Sequence, residues 1–364
     1  MHIPDGYLSP ATCGVMYAGS APFWHVALRR LKQRLTTRLV PLLSVFAAFS
    51  FLVMMINLPL PGGTTGHATG VALASIALGP WVSILAISIA LLIQALFFGD
   101  GGITTLGANC FNMAIVGSLV AYAVYRLVAG RAAITASRRV VAAAVAGYAA
   151  INVSALCAAV ELGIQPLLFK DPSGAPLYAP YPLRIAIPAM MIGHLTFAGL
   201  AELVLSGGVV AYLQRANPSL LKLTAAGAPE DGDELRQAAS EGAWSSLRSL
   251  WVTLALLLAL TPLGVLAGGA AWGEWAAGDY SSAAGRQRIT AASGNAALPA
   301  RVPQGLERLS SLWTAPFPQY APSFIRRPAL GYTLSAMFGC GIIILSLLLV
   351  SWLFTRRGKH SSLL

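Results

Sequence analysis

The chain has 364 residues, 56% of them hydrophobic and only 10% charged, where a soluble domain carries about 25% charged residues. Too few polar side chains are present to cover a globule of this size in water, which excludes a soluble enzyme, a disordered protein and a nucleic-acid-binding domain. The 24 Lys and Arg against 13 Asp and Glu, a formal charge of +11, fit cytoplasmic loops and acidic lipid head groups of a membrane protein.

The chain opens Met1-His2-Ile3-Pro4-Asp5-Gly6 and has no Lys or Arg before Arg29. A secretory signal would begin with positive charge and an apolar run. No cleaved peptide is expected, and Met1 is expected to be the first residue of the mature protein.

A membrane span needs about 20 apolar residues. The first expected span, 7–28, ends at Arg29, Arg30, Lys32, Arg34 and Arg38, a cluster that belongs inside and places the N-terminus outside. The second, 39–58, returns to the outer side at Pro59-Leu60-Pro61-Gly62-Gly63. Residues 68–98 are apolar throughout. As one helix they would extend about 46 Å and leave Arg126, Arg131, Arg138 and Arg139 outside. A break at Gly79-Pro80, where proline lacks the backbone donor, gives two short crossings and puts those arginines inside. Gly99-Asp100-Gly101-Gly102 is then an outer turn, followed by spans 105–128, 140–163 and 185–213, with a Pro-rich outer loop at 165–184.

Residues 224–241 are acidic and rich in turn formers, the composition of a cytoplasmic linker. Two more spans, 250–269 and 332–354, flank a Gly-, Ser-, Pro- and Trp-rich loop, and the last ends at Arg356, Arg357 and Lys359. The expected fold is an all-α polytopic membrane protein with about nine crossings, seven plus two, N-terminus outside and C-terminus inside. Its units are 1–223, a linker 224–245, and 246–364.

Cys13, Cys110, Cys157 and Cys340 are widely spaced in apolar stretches and read as small buried thiols. His2 stands beside the terminal amine. A chain beginning X-His offers three nitrogens in one plane: the amine, the residue-2 amide and its imidazole. Unstrained five- and six-membered chelate rings then close on a metal, and such a set suits Ni(II) or Cu(II). A fourth nitrogen is needed, and His67 lies on the same expected side, among Gly62, Gly63, Gly66 and Gly70. The same two histidines also read as a surface residue and a hydrogen-bonded loop residue, and spacing alone does not choose.

Polar groups at membrane depth need partners. Asn109 and Asn112 share a helix face and either line the site or bond neighbouring helices. Glu202 is expected to pair with an arginine near the cytoplasmic face, and His25 and His194 to make packing or hydrogen-bond contacts. His360 sits in a basic tail without a functional case. The chain contains no GxxxxGK[ST] phosphate loop. An ion-gradient-driven transporter with a polar site around Asn109, Asn112 and Glu202 is the alternative reading.

The opening MHIPDGYLSP, the loop GGTTGHATG and the run FGDGGITTLGANCFNMAIVG resemble the substrate-binding membrane component of energy-coupling-factor (ECF) transporters for nickel and cobalt, the CbiM/NikM type, over about residues 1–222. Residues TPLGVLA, WGEW and PQGLERLSSLWTAPFPQYAPSF resemble the small CbiN/NikN partner subunit, fused here to the first unit. The resemblance implies a metal held by Met1, His2 and His67; Asn109 and Asn112, from the reading of polar residues at membrane depth, are candidates to support those ligands. It implies transported Ni(II) or Co(II) and no cofactor of the chain's own. It also implies a transmembrane coupling subunit and separate cytoplasmic ATPases as partners, and a place in the cytoplasmic membrane. Such a component is not itself an enzyme.

Overall fold

Apolar runs punctuated by basic clusters and Gly-Pro pairs fold as helices in a computed structural model, which describes residues 1–34, 39–222, 243–322 and 324–360. Helix α1 (Pro10–Arg34) is followed by α2 (Leu39–Met55). A short antiparallel ribbon, β1 (Leu58–Leu60) and β2 (Thr64–Gly66), pairs Leu58 with Gly66. Then come α3 (Val71–Leu78), α4 (Pro80–Phe98), α5 (Leu106–Ala129), α6 (Ser137–Leu168) and α7 (Leu183–Ala216). The second unit contributes α8 (Ala243–Leu260) and α9 (Pro328–His360). Among the described residues, α4 to α7 and Pro328–Leu349 are long and apolar enough to cross a membrane, and α2 and 250–266 are shorter apolar helices. The protein is an all-α polytopic membrane protein.

The expected break at Gly79-Pro80 is present. Gly79 has φ 80° and ψ 160°, and Pro80 is the first residue of α4. The two pieces are nevertheless unequal. Helix α3 has eight residues, about 12 Å of rise, which is not a crossing by itself. Its residues are all buried, as are His67, Ala68, Thr69 and Gly70 before it, so a stretch of non-helical backbone lies inside protein. Such backbone is tolerated at membrane depth only in that setting.

Three helices contain a π-helical turn, at Gln94–Phe98, Cys110–Val116 and His194–Ala198. These wide turns rotate the following side chains out of the α register and are frequent at functional sites. Helix α6 runs beyond the expected 163 because Pro166 is accommodated near its C-terminal end. Helix α8 stops short of 269 because Thr261-Pro262 opens a 3-10 turn, Thr261–Leu266. Most of the expected linker, 224–242, lies outside the described residues.

The loop joining α8 to α9 packs onto the first unit through main-chain hydrogen bonds. Thr65 N–H donates to Ala270 O at 3.3 Å, Gly305 N–H to Leu177 O at 2.7 Å, and Phe317 N–H to Phe97 O at 2.9 Å. The Trp313 indole donates to Leu96 O at 2.9 Å. The loop thereby reaches both the His67 loop and the end of α4.

Candidate metal centre

A polar, flexible N-terminal sequence is an unlikely core element, yet Met1, His2 and Ile3 are 2%, 3% and 0% exposed. The reason is a dense network of partners. Asn109 brackets the main chain of one residue, accepting Ile3 N–H at 2.8 Å and donating to Ile3 O at 3.1 Å. Ile3 O also accepts from Thr105 Oγ1 and, at 2.9 Å, from Gly102 N–H. The Asp5 carboxylate accepts Ile103 N–H at 3.1 Å and Thr104 N–H at 2.7 Å. Ser9 N–H donates to Gln165 Oε1 at 3.0 Å. The Tyr7 hydroxyl donates to Trp275 O at 2.7 Å, so the second unit helps to fix the segment.

His2 and His67 meet. His2 Nδ1 lies 3.3 Å from His67 Nε2, and the ring centroids are 5.0 Å apart. His67 Nδ1 is 3.0 Å from Ala68 O. A carbonyl only accepts, so Nδ1 carries the hydrogen and Nε2 presents its lone pair toward His2. Burial, reinforced by the charge of the terminal amine, lowers His2 to about 4. The same causes, joined by His2 itself, hold His67 well below the ordinary histidine value. Both rings are neutral at pH 7, the form that ligates metals.

Adjacent corners of a square of nitrogens, with metal–nitrogen bonds of about 2.0 Å, stand about 2.8 Å apart. The observed separation needs only a small contraction to match. Among the described residues no cluster of three His, Cys, Asp or Glu side chains is arranged to hold a metal. The nitrogen set therefore depends on the Met1 amine and the His2 amide, which are joined to His2 by covalent geometry.

Two carboxylates flank these nitrogens. Glu274 Oε1 is 3.1 Å from the Met1 amine, and Asp100 Oδ1 is 3.1 Å from His2 Nδ1. With His2 neutral, the Asp100 contact is a hydrogen bond and not an ion pair. Burial raises the Asp100 carboxyl above its ordinary value, against the pull of the Tyr320 hydroxyl and the terminal amine. Tyr320 donates to Asp100 Oδ2 at 2.6 Å and stacks on Phe98 with centroids 4.6 Å apart. The approach is tight on this side. Gly101 has φ 79°, and a Cβ there would stand 2.9 Å from Asn109 Nδ2 and 3.5 Å from His2 Cβ.

The remaining candidates divide. Asn109 supports the site through Ile3. Asn112 does not meet it: its amide donates to Glu161 Oε2 at 2.9 Å. Glu202 pairs with no arginine in these contacts, which corrects the expectation. Its Oε2 accepts Thr69 N–H at 2.5 Å, Gly70 N–H at 3.1 Å and Thr69 Oγ1 at 3.2 Å. A carboxylate at the open N–H groups of a helix start is satisfied there, so no cation is needed. Asn109, Asn112 and Glu202 thus bond to separate partners and do not make one polar site. His194 is buried, with Nδ1 2.8 Å from Met190 O, and His25 is exposed. All four cysteines are free thiols.

Sequence reasoning missed Glu274, Asp100, Tyr320 and Glu161, and left Gln94 without a role. Asp100 carried a signal, as an acid within a glycine turn on the outer side. Glu274 and Tyr320 carried none, because their contacts cross from one unit to the other.

The N-terminus of this helical membrane protein is thus buried beside two histidines in a nitrogen-rich pocket. The chain belongs to the family described as the cobalt uptake substrate-specific transmembrane region, matched over residues 2–220. Residues 247–356 match the PDGLE domain. The chain is 54% identical over 345 residues to the fused nickel transport protein NikMN of Rhodobacter capsulatus, covering 94% of this chain and 95% of that protein. It is 35% identical over 229 residues to the cobalt transport protein CbiM of Geobacter sulfurreducens, covering 61% of each. A solved transition metal transporter is similar at 45% identity and TM-score 0.57, covering 66% of this chain and 100% of that one.

Proposed function

We propose that this chain captures Ni(II) or Co(II) from the outer side of the cytoplasmic membrane as the substrate-specific component of an ATP-driven ECF importer. The observation that carries the reading is the 3.3 Å approach of His67 Nε2 to His2 Nδ1 beside a buried Met1 amine. The metal is the cargo. Its four donors are the Met1 amine, the His2 amide and Nδ1, and His67 Nε2. A planar nitrogen set favours nickel on ligand-field grounds, and the relative from Rhodobacter capsulatus, similar over nearly the full length, is named for nickel.

Nine crossings, seven plus two, the third made of α3 together with the buried backbone of 67–70, with the N-terminus outside and the C-terminus inside, complete this reading. Its units are 1–223, linker 224–245 and 246–364. The partners are a transmembrane coupling subunit and cytoplasmic ATPases, which supply the nucleotide chemistry for which the chain has no phosphate loop. The decisive test is calorimetric titration of the purified chain with each metal beside a His2→Ala variant. Stoichiometric binding that the substitution abolishes is expected; equal affinity in the variant refutes the assignment.

A further inference from the structure

Gln94 opens the π-helical turn of α4 and is fully buried. Its Nε2 uses both hydrogens, donating to Asp100 Oδ2 at 3.2 Å and to the Tyr320 hydroxyl at 2.9 Å. That hydroxyl has already given its own hydrogen to Asp100 Oδ2, so both partners can only accept from the amide. This fixes which way the amide faces. Oε1 is turned elsewhere, and it is one of the buried side-chain atoms that make no hydrogen bond. His2 Nε2 is another. The side chains bearing these two atoms converge on one carboxylate: Gln94 donates to Asp100 Oδ2, and Asp100 Oδ1 is 3.1 Å from His2 Nδ1.

An acceptor without a donor and a ring nitrogen without a partner, on two buried side chains that share the Asp100 carboxylate, are individually costly. They become complementary once Nδ1 ligates a metal, because the imidazole hydrogen then sits on Nε2. Metal-bound histidines almost always donate that second N–H to a fixed acceptor. We propose that Gln94 is a positioning residue for the metal: its Oε1 accepts Nε2–H of His2, selecting the tautomer whose Nδ1 lone pair is free. Tyr320, from the second unit, holds the amide in the required orientation. The specificity of the first unit's ligand is thus set in part by a hydroxyl of the second.

The inference rests on the reading of Met1, His2 and His67 as the metal site, and the experiment separates the two. The full chain is titrated with Ni(II) by calorimetry as wild type, His2→Ala, Gln94→Met and Tyr320→Phe. Gln94→Met keeps the length of the side chain and removes the acceptor. It is expected to weaken binding about 10- to 100-fold. Tyr320→Phe keeps the ring that stacks on Phe98, removes only the hydroxyl, and is expected to weaken binding by a smaller factor.

Square-planar Ni(II) is diamagnetic, so histidine-labelled, nickel-loaded protein also reports the tautomer by long-range proton–nitrogen correlation. The expected wild-type spectrum has the His2 proton on Nε2, hydrogen-bonded and slow to exchange. That protection is lost in Gln94→Met and reduced in Tyr320→Phe. Wild-type affinity in Gln94→Met, or an unmoved His2 Nε2–H resonance in Tyr320→Phe should Gln94→Met not fold, overturns the proposal while leaving the metal site intact. Wild-type binding that survives His2→Ala overturns the metal site itself.

Discussion

Glu202 Oε2 and the Thr69 main chain are joined by a 2.5 Å hydrogen bond across 133 residues of sequence. With the companion bond to Gly70, the carboxylate of α7 fixes the loop whose histidine stands two residues upstream. Removing it leaves two main-chain donors unpaired inside protein, and the His67 ring loses its fixed approach. Glu202→Ala should therefore weaken Ni(II) binding at least tenfold, roughly 1.4 kcal/mol. Glu202→Gln, which keeps an acceptor, should lose less. Calorimetric titration decides, and wild-type affinity in Glu202→Ala would sink the argument.

The terminal amine is buried and engaged by Glu274, a contact that residues added before it would displace. Extension by two residues ahead of Met1, or acetylation of the amine, removes one donor and displaces the others. Binding of Ni(II) should vanish in both forms while the helical content seen by circular dichroism is unchanged. Retained stoichiometric binding in either form would show that the amine is not a ligand.

Stability should depend on pH through the same residues. Burial holds both histidines below the ordinary value of 6.5 in the folded chain, His2 at about 4 and His67 well below that ordinary value. Between those values the unfolded chain binds more protons, so stability is full above about 6.5 and is lost as pH falls toward 4. Asp100, raised by burial, works in the opposite sense. Thermal unfolding in detergent should show Tm flat from pH 8 to 7 and falling below 6.5. The fall should be smaller in a His2→Ala, His67→Ala double variant; an identical fall there would assign it to other groups.

The α8–α9 loop touches the N-terminal segment at Tyr7 and Met1 and supports Asp100 through Tyr320. Deleting 278–327 removes Tyr280 and Tyr320 and should lower nickel uptake by cells without reducing the amount of protein in the membrane. Uptake at the wild-type rate by a deletion variant that inserts normally would show the loop to be dispensable for loading.

Hydropathy and basic clusters made the helices legible, because both report a local balance of side chains against lipid and leaflet charge. They could not reveal that 71–78 is so short a helix: apolar residues score alike in a helix and in buried extended backbone. The His2–His67 meeting was legible from chelate chemistry and from glycines that admit close approach. Glu202 was misread because a carboxylate can be satisfied by peptide N–H groups as well as by arginine, and only the fold shows which lies near. Tyr320 was invisible for a related reason. Its partner, Asp100, is 220 residues away, and no periodicity links them.

Glu274 and Tyr320 belong to a unit that the comparison proteins do not all carry on the same chain, as the solved transition metal transporter illustrates, all of which is matched by 66% of this one. Here both units share one polypeptide. Their encounter is intramolecular, at an effective concentration that short connections raise to the millimolar range. The contacts of the loop with Met1, Tyr7 and Asp100 are thereby kept without recruiting a free subunit. Each N-terminus is also supplied with one such loop, whatever the expression level.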